Sequence, residues 1–355
     1  MVSPIKPIMV SVGLISLVNS QVLVAANNDW IKGVAVDGLV EVQAGYTNDY
    51  YDKDSSSLVL GTASLGFTGQ VNEWSTVRLA FLYKDSVPLR MDETHITLGN
   101  LNKFPVYVKA GRTYLPFGRY QTQFITDAIT YSAASTMAEI GQLGFEAGGA
   151  YGLAYIYGGR TQDDTNDTLD HYGASLGFSQ ESDSMTIDVG VDYISDFGDV
   201  GTDADAASTW GILPVISTVG SWDNYEYVAG IVGRASFSFG PVFFNGEYMT
   251  ALDAFKPEFL AFGSEGAEPK IWYAELGLNF KIAQRDFTFG AGYAASEEAL
   301  AMDLPKERYT VGMSLGIVDN TTLYLEYRVD NDYEVSDGGT GEDAQAASLK
   351  VAVTF

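Results

Sequence analysis

Apolar and polar residues alternate with a period of two along most of this chain. Val34, Val36, Val40 and Val42 alternate with Asp37, Glu41 and Gln43, and Val77, Leu79, Phe81 and Tyr83 with Thr76, Arg78 and Lys84. The pattern recurs at Met185–Tyr193, Trp272–Lys281 and Arg308–Ile317, and again at the end, where Leu349, Val351, Val353 and Phe355 alternate with Ser348, Lys350, Ala352 and Thr354. Period-two alternation marks strands with one apolar and one polar face. Helical spacing is nowhere comparable. The segments 34–46, 58–71, 75–84, 91–98, 105–113, 138–147, 150–159, 171–180, 185–196, 225–239, 241–252, 270–282, 286–297, 307–317, 321–331 and 343–355 read as strands. The segments 91–98, 138–147 and 150–159 alternate least cleanly, so the sequence leaves counts of 14 or 18 open beside about 16.

Short turns alternate with long polar connections. Asn72-Glu73-Trp74, Asn100-Leu101-Asn102, Gly148-Gly149, Glu181-Ser182, Phe239-Gly240-Pro241, Gln284-Arg285 and Val318-Asp319-Asn320 are short. The stretches 47–57, 114–137, 160–170, 197–224, 253–269, 298–306 and 332–343 are long, and 85–90 is intermediate. An outer-membrane barrel has this beat, with tight periplasmic turns and longer outer loops, and a bacterial barrel has an even strand count. Each segment has about the 9–11 residues of a tilted membrane strand, or close to it. Closure also satisfies every strand's backbone groups within a membrane. The expected fold is an all-β transmembrane antiparallel barrel. Tyr46, Tyr83, Phe104, Tyr193, Tyr227, Phe237, Tyr248, Trp272, Phe280, Tyr293, Tyr309 and Phe355 lie near strand ends, where interfacial girdles are expected.

The first residues read differently. Lys6, the apolar stretch Ile8–Val18 and the small-residue site Val24-Ala25-Ala26 predict a signal peptide over 1–26, leaving 27–355 as one barrel domain destined for the bacterial outer membrane. Beyond that stretch nothing approaches the ~18 apolar residues of a spanning helix.

The net charge of −26 excludes a nucleic-acid role, which needs a basic face. The chain has no cysteine, which removes disulfides, thiolate metal sites and cysteine nucleophiles. The two histidines, His95 and His171, sit at inward positions of separate strands without a nucleophile motif, so no enzyme and no catalytic residue is expected. The acid excess falls in the long loops, at Asp49, Asp52 and Asp54, at Asp163, Asp164, Asp167 and Asp170, and at Asp332, Glu334, Asp337, Glu342 and Asp343. Solvated loops kept soluble by charge explain these runs. The alternative is Ca²⁺ bridging to lipopolysaccharide, although none has an EF-hand layout.

Inward positions carry both signs of charge. Asp37, Glu41, Glu93, Asp188, Asp192, Glu247, Glu275 and Glu326 are acidic, and Arg234, Lys281, Arg308 and Arg328 are basic. An unpaired charge in an apolar core is costly, so these positions predict a water-filled lumen, which suits a barrel of this size. The run Gly111-Arg112-Thr113-Tyr114-Leu115-Pro116-Phe117-Gly118-Arg119-Tyr120 opens the long connection 114–137. Pro116 and Gly118 favour a sharp turn into the lumen. The expected constriction has Arg78, Lys84, Lys109, Arg112 and Arg119 on its basic side and Asp127 and Glu139 on its acidic side.

At Gly111–Tyr120, at Leu304-Pro305-Lys306-Glu307-Arg308-Tyr309 and at Asn320-Thr321-Thr322-Leu323-Tyr324-Leu325-Glu326-Tyr327-Arg328, the chain resembles the LbtU-type siderophore porin family. It resembles phosphate-selective porins more distantly, without the lysine ladder expected of a phosphate pore. The resemblance implies a 16-stranded outer-membrane porin passing small hydrophilic solutes, with an iron–siderophore complex as a candidate cargo. Porins of that size are commonly homotrimers. The alternative from another class is a structural or adhesive barrel with a plugged lumen and acidic, cation-binding loops.

Overall fold

The structure is a computed structural model that describes residues 33–85, 89–161, 169–182, 184–201, 212–216 and 224–355. The expected signal peptide 1–26 lies outside the described residues, as do Asp163, Asp164 and Asp167.

The alternating segments form β1 (Val34–Asn48), β2 (Asp54–Asn72), β3 (Ser75–Lys84), β4 (Arg90–Gly99), β5 (Val106–Tyr114), β6 (Met137–Ala147), β7 (Ala150–Tyr157), β8 (His171–Glu181) and β9 (Met185–Ile194). They continue as β10 (Gly230–Phe239), β11 (Val242–Ala251), β14 (Lys270–Ile282), β15 (Arg285–Glu297), β16 (Glu307–Val318), β17 (Thr321–Asn331) and β18 (Asp343–Thr354). Each of these sixteen pairs antiparallel with its neighbours, and β18 returns to β1 to close a barrel. Between β11 and β14, β12 (Ala261–Phe262) and β13 (Glu265–Gly266) form a separate two-stranded hairpin. Two short helices, α1 (Ile129–Ala134) and α2 (Ile212–Ile216), lie in connections.

The turns explain the short side. Gly148 and Gly149 have φ of 60° and 89°, the left-handed conformation that a two-residue hairpin requires. Ala283 and Gln284 take φ of 48° and 67° at the equivalent place between β14 and β15.

Two boundaries differ from expectation. β2 begins at Asp54 rather than near residue 58. Asp54 accepts hydrogen bonds from the Tyr46 hydroxyl (2.6 Å) and the Asn48 side chain (3.1 Å), so the polar run Ser55-Ser56-Ser57 stays in the ladder. The segment 225–229 is not strand. Its Tyr225 hydroxyl donates to Asp196 (2.7 Å) and its Val228 carbonyl accepts from Phe197, drawing it into a loop layer instead.

The outward face is apolar. On β14, Trp272, Leu276, Leu278, Phe280 and Ile282 share that face. From Trp272 to Ile282 this is about 33 Å of strand at ~3.3 Å per residue. At a tilt near 40° it spans roughly 25 Å, the height of a membrane barrel's apolar band. Aromatic pairs edge the band: Tyr248–Trp272 and Tyr293–Tyr309 toward the long loops, and Phe237–Phe244 and Phe280–Phe287 toward the short turns. Tyr293 and Tyr309 both donate hydroxyls to Glu307 (3.0 and 3.2 Å), which gives their polar ends partners at the water boundary.

A packed apolar cluster lies inside the long-loop half of the barrel. Loops contribute Leu115, Phe117, Phe197, Val200, Phe255 and Leu260, and walls contribute Ile140, Tyr155, Ile194, Met249 and Ile271. The long connections are therefore only partly the solvated loops that their charge suggested.

Candidate channel lumen and its inner loop

The connection between β5 and β6, residues 115–136, folds inside the barrel. Pro116 and Gly118, the latter at φ 90°, reverse the chain, and Tyr120 takes φ 55° with its hydroxyl on the Phe117 carbonyl. The loop then crosses the wall from β9 to β17. Gly118 N–H donates to Asp192 (3.0 Å), and Arg119 N–H to Glu247 (2.7 Å). Thr122 Oγ1 and Gln123 N–H donate to Glu275 (2.9 and 3.0 Å). Ile125 N–H, Thr126 N–H and Thr126 Oγ1 donate to Glu326 (2.6, 3.0 and 2.5 Å). Between these anchors, the Phe124 ring lies on bare wall: a Cβ added at Gly292 or Gly312 would meet it at 2.6 and 2.8 Å.

The inward charges fall into two populations. On the loop-covered side, Asp192, Glu247 and Glu275 are 2%, 4% and 1% exposed. Arg234 is bound by Asp192 (3.0 Å) and Asp188 (2.9 Å). Arg119 also reaches Asp188 (3.0 Å), and both guanidinium groups lie over the Tyr151 ring. A small cavity adjoins this group, lined by Tyr107, Arg119, Glu146, Tyr151, Asp192 and Arg234 among others. Arg308 is held by both oxygens of Asp330 (2.7 and 3.0 Å). Asp188, Asp192, Arg234, Arg308 and Asp330 are held in ion pairs, and Glu247 and Glu275 by loop donors, which corrects the expectation that inward charges of both signs require water throughout.

On the opposite side the side chains stay partly open. Asp37, Arg78 and Glu93 keep 20%, 15% and 21% of their side-chain surface. Asp37 on β1 and Arg78 on β3 pair across the intervening β2 because Gly66 stands between them; its added Cβ would lie 2.5 Å from each. Glu93 lies 3.9 Å from Arg78, and Lys109 on β5 adds a positive charge to the same patch. His95 sits across from Arg78 on β4. Glu41 pairs with Lys350 (2.8 Å), whose ammonium lies over Tyr324. Arg328 spans Asp330 (3.2 Å) and Thr126 (3.1 Å). Lys84 donates to the hydroxyl of Tyr131 on α1 (2.9 Å), and the half-buried Asp127 follows Thr126 along the loop. The loop therefore faces a strip of charged, water-accessible wall that runs from β17 through β1 to β5.

Three expected site residues lie elsewhere. Arg112 and Glu139 are directly opposite one another in the β5–β6 ladder and pair at 2.9 Å. Both are an even number of positions from Val108 and Leu143, which face outward, so this pair sits on the outer surface, not at a constriction. Lys281 has inward parity but stands at the short-turn mouth, largely exposed, beside Asp286 (3.4 Å). Sequence reasoning missed Lys350, Asp330, Ser175 and Tyr151 as partners. Of these, alternation placed Lys350 on the polar face, yet only the closed ladder shows whom any of them meets.

A second polar cluster lies among the long loops. His171 Nδ1 is 2.9 Å from Asp170, and its Nε2 is 3.1 Å from Thr161 Oγ1. This connectivity resembles a nucleophile–base–acid chain. Thr161, however, is buried and gives its proton to Asp196 (2.5 Å), so it is not poised for attack. Asp199 accepts from the Arg160 N–H (2.8 Å). Burial pushes the Asp199 carboxyl up to about 7, against the lowering by that N–H and by nearby His171. Of the acids that were candidates for Ca²⁺, Asp49 accepts from Tyr51 and Lys53 N–H, and Asp332 from Tyr333 and Thr340, so these two serve turns. Among the described residues, no group of three or more His, Asp or Glu is arranged to hold a metal ion.

No protein-family model matches the chain. The chain is 28% identical over 327 residues to a UPF0422 protein of Coxiella burnetii, covering 89% of this chain and 68% of that one. It is 27% identical over 354 residues to a UPF0422 protein of Legionella pneumophila (strain Lens), covering 91% of this chain and 66% of that protein, so it spans just under two thirds of the Legionella relative. Among solved structures it resembles the outer membrane channel DcaP of Acinetobacter baumannii (TM-score 0.61, 12% identity, 94% of this chain and 100% of that one). It also resembles OmpF of Salmonella typhi (0.62, 12%, 93% and 99%) and the trimer form of OmpT, an outer membrane protein of Vibrio cholerae (0.51, 13%, 91% and 99%). At these identities the likeness concerns architecture, and by architecture the chain is a sixteen-strand antiparallel transmembrane barrel of the bacterial outer-membrane type.

Proposed function

We propose that this chain forms a water-filled outer-membrane channel for passive diffusion of small hydrophilic solutes, narrowed by residues 115–136. The observation that carries the reading is the strip of partly exposed charge formed by Asp37, Arg78, Glu93, Glu41, Lys350 and Arg328, facing an inner loop that covers the other wall. The strip is close to neutral as a set, which favours passage of uncharged or weakly charged solutes. The fold likeness to solved channels supports the same reading. The trimer form of the Vibrio OmpT, which shares the architecture, supports a homotrimer. The resemblance to siderophore porins makes an iron–siderophore complex the first specific cargo to test.

Liposome swelling with a size series of sugars tests the channel. Swelling should slow steadily as solute size rises. A folded, inserted barrel whose liposomes admit no sugar contradicts the reading. Loss of siderophore uptake on deletion of the gene, restored by the intact chain, separates a siderophore route from a general pore.

One observation favours a second reading, a structural barrel with a closed lumen and cation- or lipopolysaccharide-binding loops. The apolar cluster and the loop together fill much of one side of the interior. That reading expects no solute flux and a surface association abolished by a chelator.

A further inference from the structure

The wall carboxylates Glu247, Glu275 and Glu326 do more than line a barrel. Each is almost wholly buried, and among the described residues none is in a salt bridge. Their compensation comes largely from the inner loop, through the N–H groups of Arg119, Gln123, Ile125 and Thr126 and the hydroxyls of Thr122 and Thr126, while Glu326 also lies near Arg328 and Glu247 Oε1 has no hydrogen-bond partner. Buried carboxylates that no ion pair holds are stable only when such donors replace water. The three lie on β11, β14 and β17, at successive points along the loop's path. Phe124, seated over Gly292 and Gly312, is the apolar anchor between the last two.

We propose that these glutamates are specificity-determining residues of the channel, masked by the docked loop. With the loop docked, its N–H groups cover the row, and the solute meets the near-neutral strip on the opposite wall. With the loop withdrawn, the donors leave, the three carboxylates take up water, and the same barrel presents a wider lumen lined by fixed negative charge. Such a lumen concentrates cations and admits them in preference to anions. The ligand class of the unmasked row is therefore small hydrated cations. This inference rests on the channel reading.

The test uses the full chain in planar bilayers under a KCl gradient, reading single-channel conductance and reversal potential together. Deleting residues 119–126 should raise conductance and increase the K⁺/Cl⁻ permeability ratio several-fold. Adding Glu247→Gln, Glu275→Gln and Glu326→Gln to the deletion should keep the larger conductance and return the ratio toward that of the intact chain. A deletion that widens the pore without changing selectivity overturns the inference, as does a cation preference that survives the three substitutions. If the deletion variant does not fold, the pair Glu275→Gln and Glu326→Gln with the loop intact should raise the frequency of large openings, and these should show little cation preference because only Glu247 keeps its charge. An unchanged opening pattern in that pair overturns the inference. An intact chain that inserts but never conducts overturns the channel reading itself, a distinct result.

Discussion

Phe355 and Gly38 meet on the lipid face where the chain closes on itself. Their backbones exchange two hydrogen bonds (2.9 and 3.0 Å), and the Phe355 ring covers the place a Gly38 side chain would take. The sequence displays the terminal aromatic and its parity, but not the glycine that receives it, because their contact joins the two ends of the barrel. The same limit applies inside. Alternation assigned Asp192, Arg234 and Glu247 to the inner face, while their pairing across strands depends on register. Arg112 and Glu139 show the opposite failure: nearness to the loop made them candidates, although their parity with Val108 and Leu143 already put them outside. Residue by residue, the lipid face is testable. Leu276 is outward and exposed near the middle of the band. Leu276→Arg should lower stability by about 2–4 kcal/mol, measured by reversible urea unfolding in lipid vesicles. A change within ~0.5 kcal/mol, as for an ordinary surface site, counts against a membrane-facing position.

Among the elements, the strands were legible and the loops were not. Period-two alternation marks strands whatever their surroundings, so even the weak segments at β4, β6 and β7 appear close to their expected bounds. Loops lack such a period, and acidic composition concealed their apolar residues. Phe197, Val200, Ile212, Ile216, Phe255 and Leu260 build a packed layer from connections that read as solvated. Their apolar clustering was the available signal. In that layer, the buried Asp199 prefers its neutral form. An acid whose folded value is raised binds its proton more tightly when folded. Its favourable contribution is therefore complete below the unfolded value near 4 and is lost as pH rises toward about 7. Hydrogen exchange at Gly198 and Val200, corrected for intrinsic rate, should show weaker protection at pH 8 than at pH 5. Asp199→Asn should remove most of the difference; an equal difference in the variant would assign it to His171 instead.

The whole molecule separates its charge. The chain carries a net −26, yet the partly exposed strip of the inner wall pairs Asp37 with Arg78 and Glu41 with Lys350. The excess negative charge therefore lies outside the strip, largely in the loops, where it raises the local cation concentration. The barrel architecture was legible at this scale because strand beat, even count and aromatic ends agree. The eccentric position of the open wall was not, since it depends on which carboxylates the loop covers. The central claim is that a continuous water path runs between residues 115–136 and that wall. Single-channel recording of the purified, folded protein in a planar bilayer tests it most directly. The expected result is stepwise, ohmic conductance that grows when residues 119–135 are removed. A correctly folded and inserted barrel that stays electrically silent, with the loop and without it, would contradict the account.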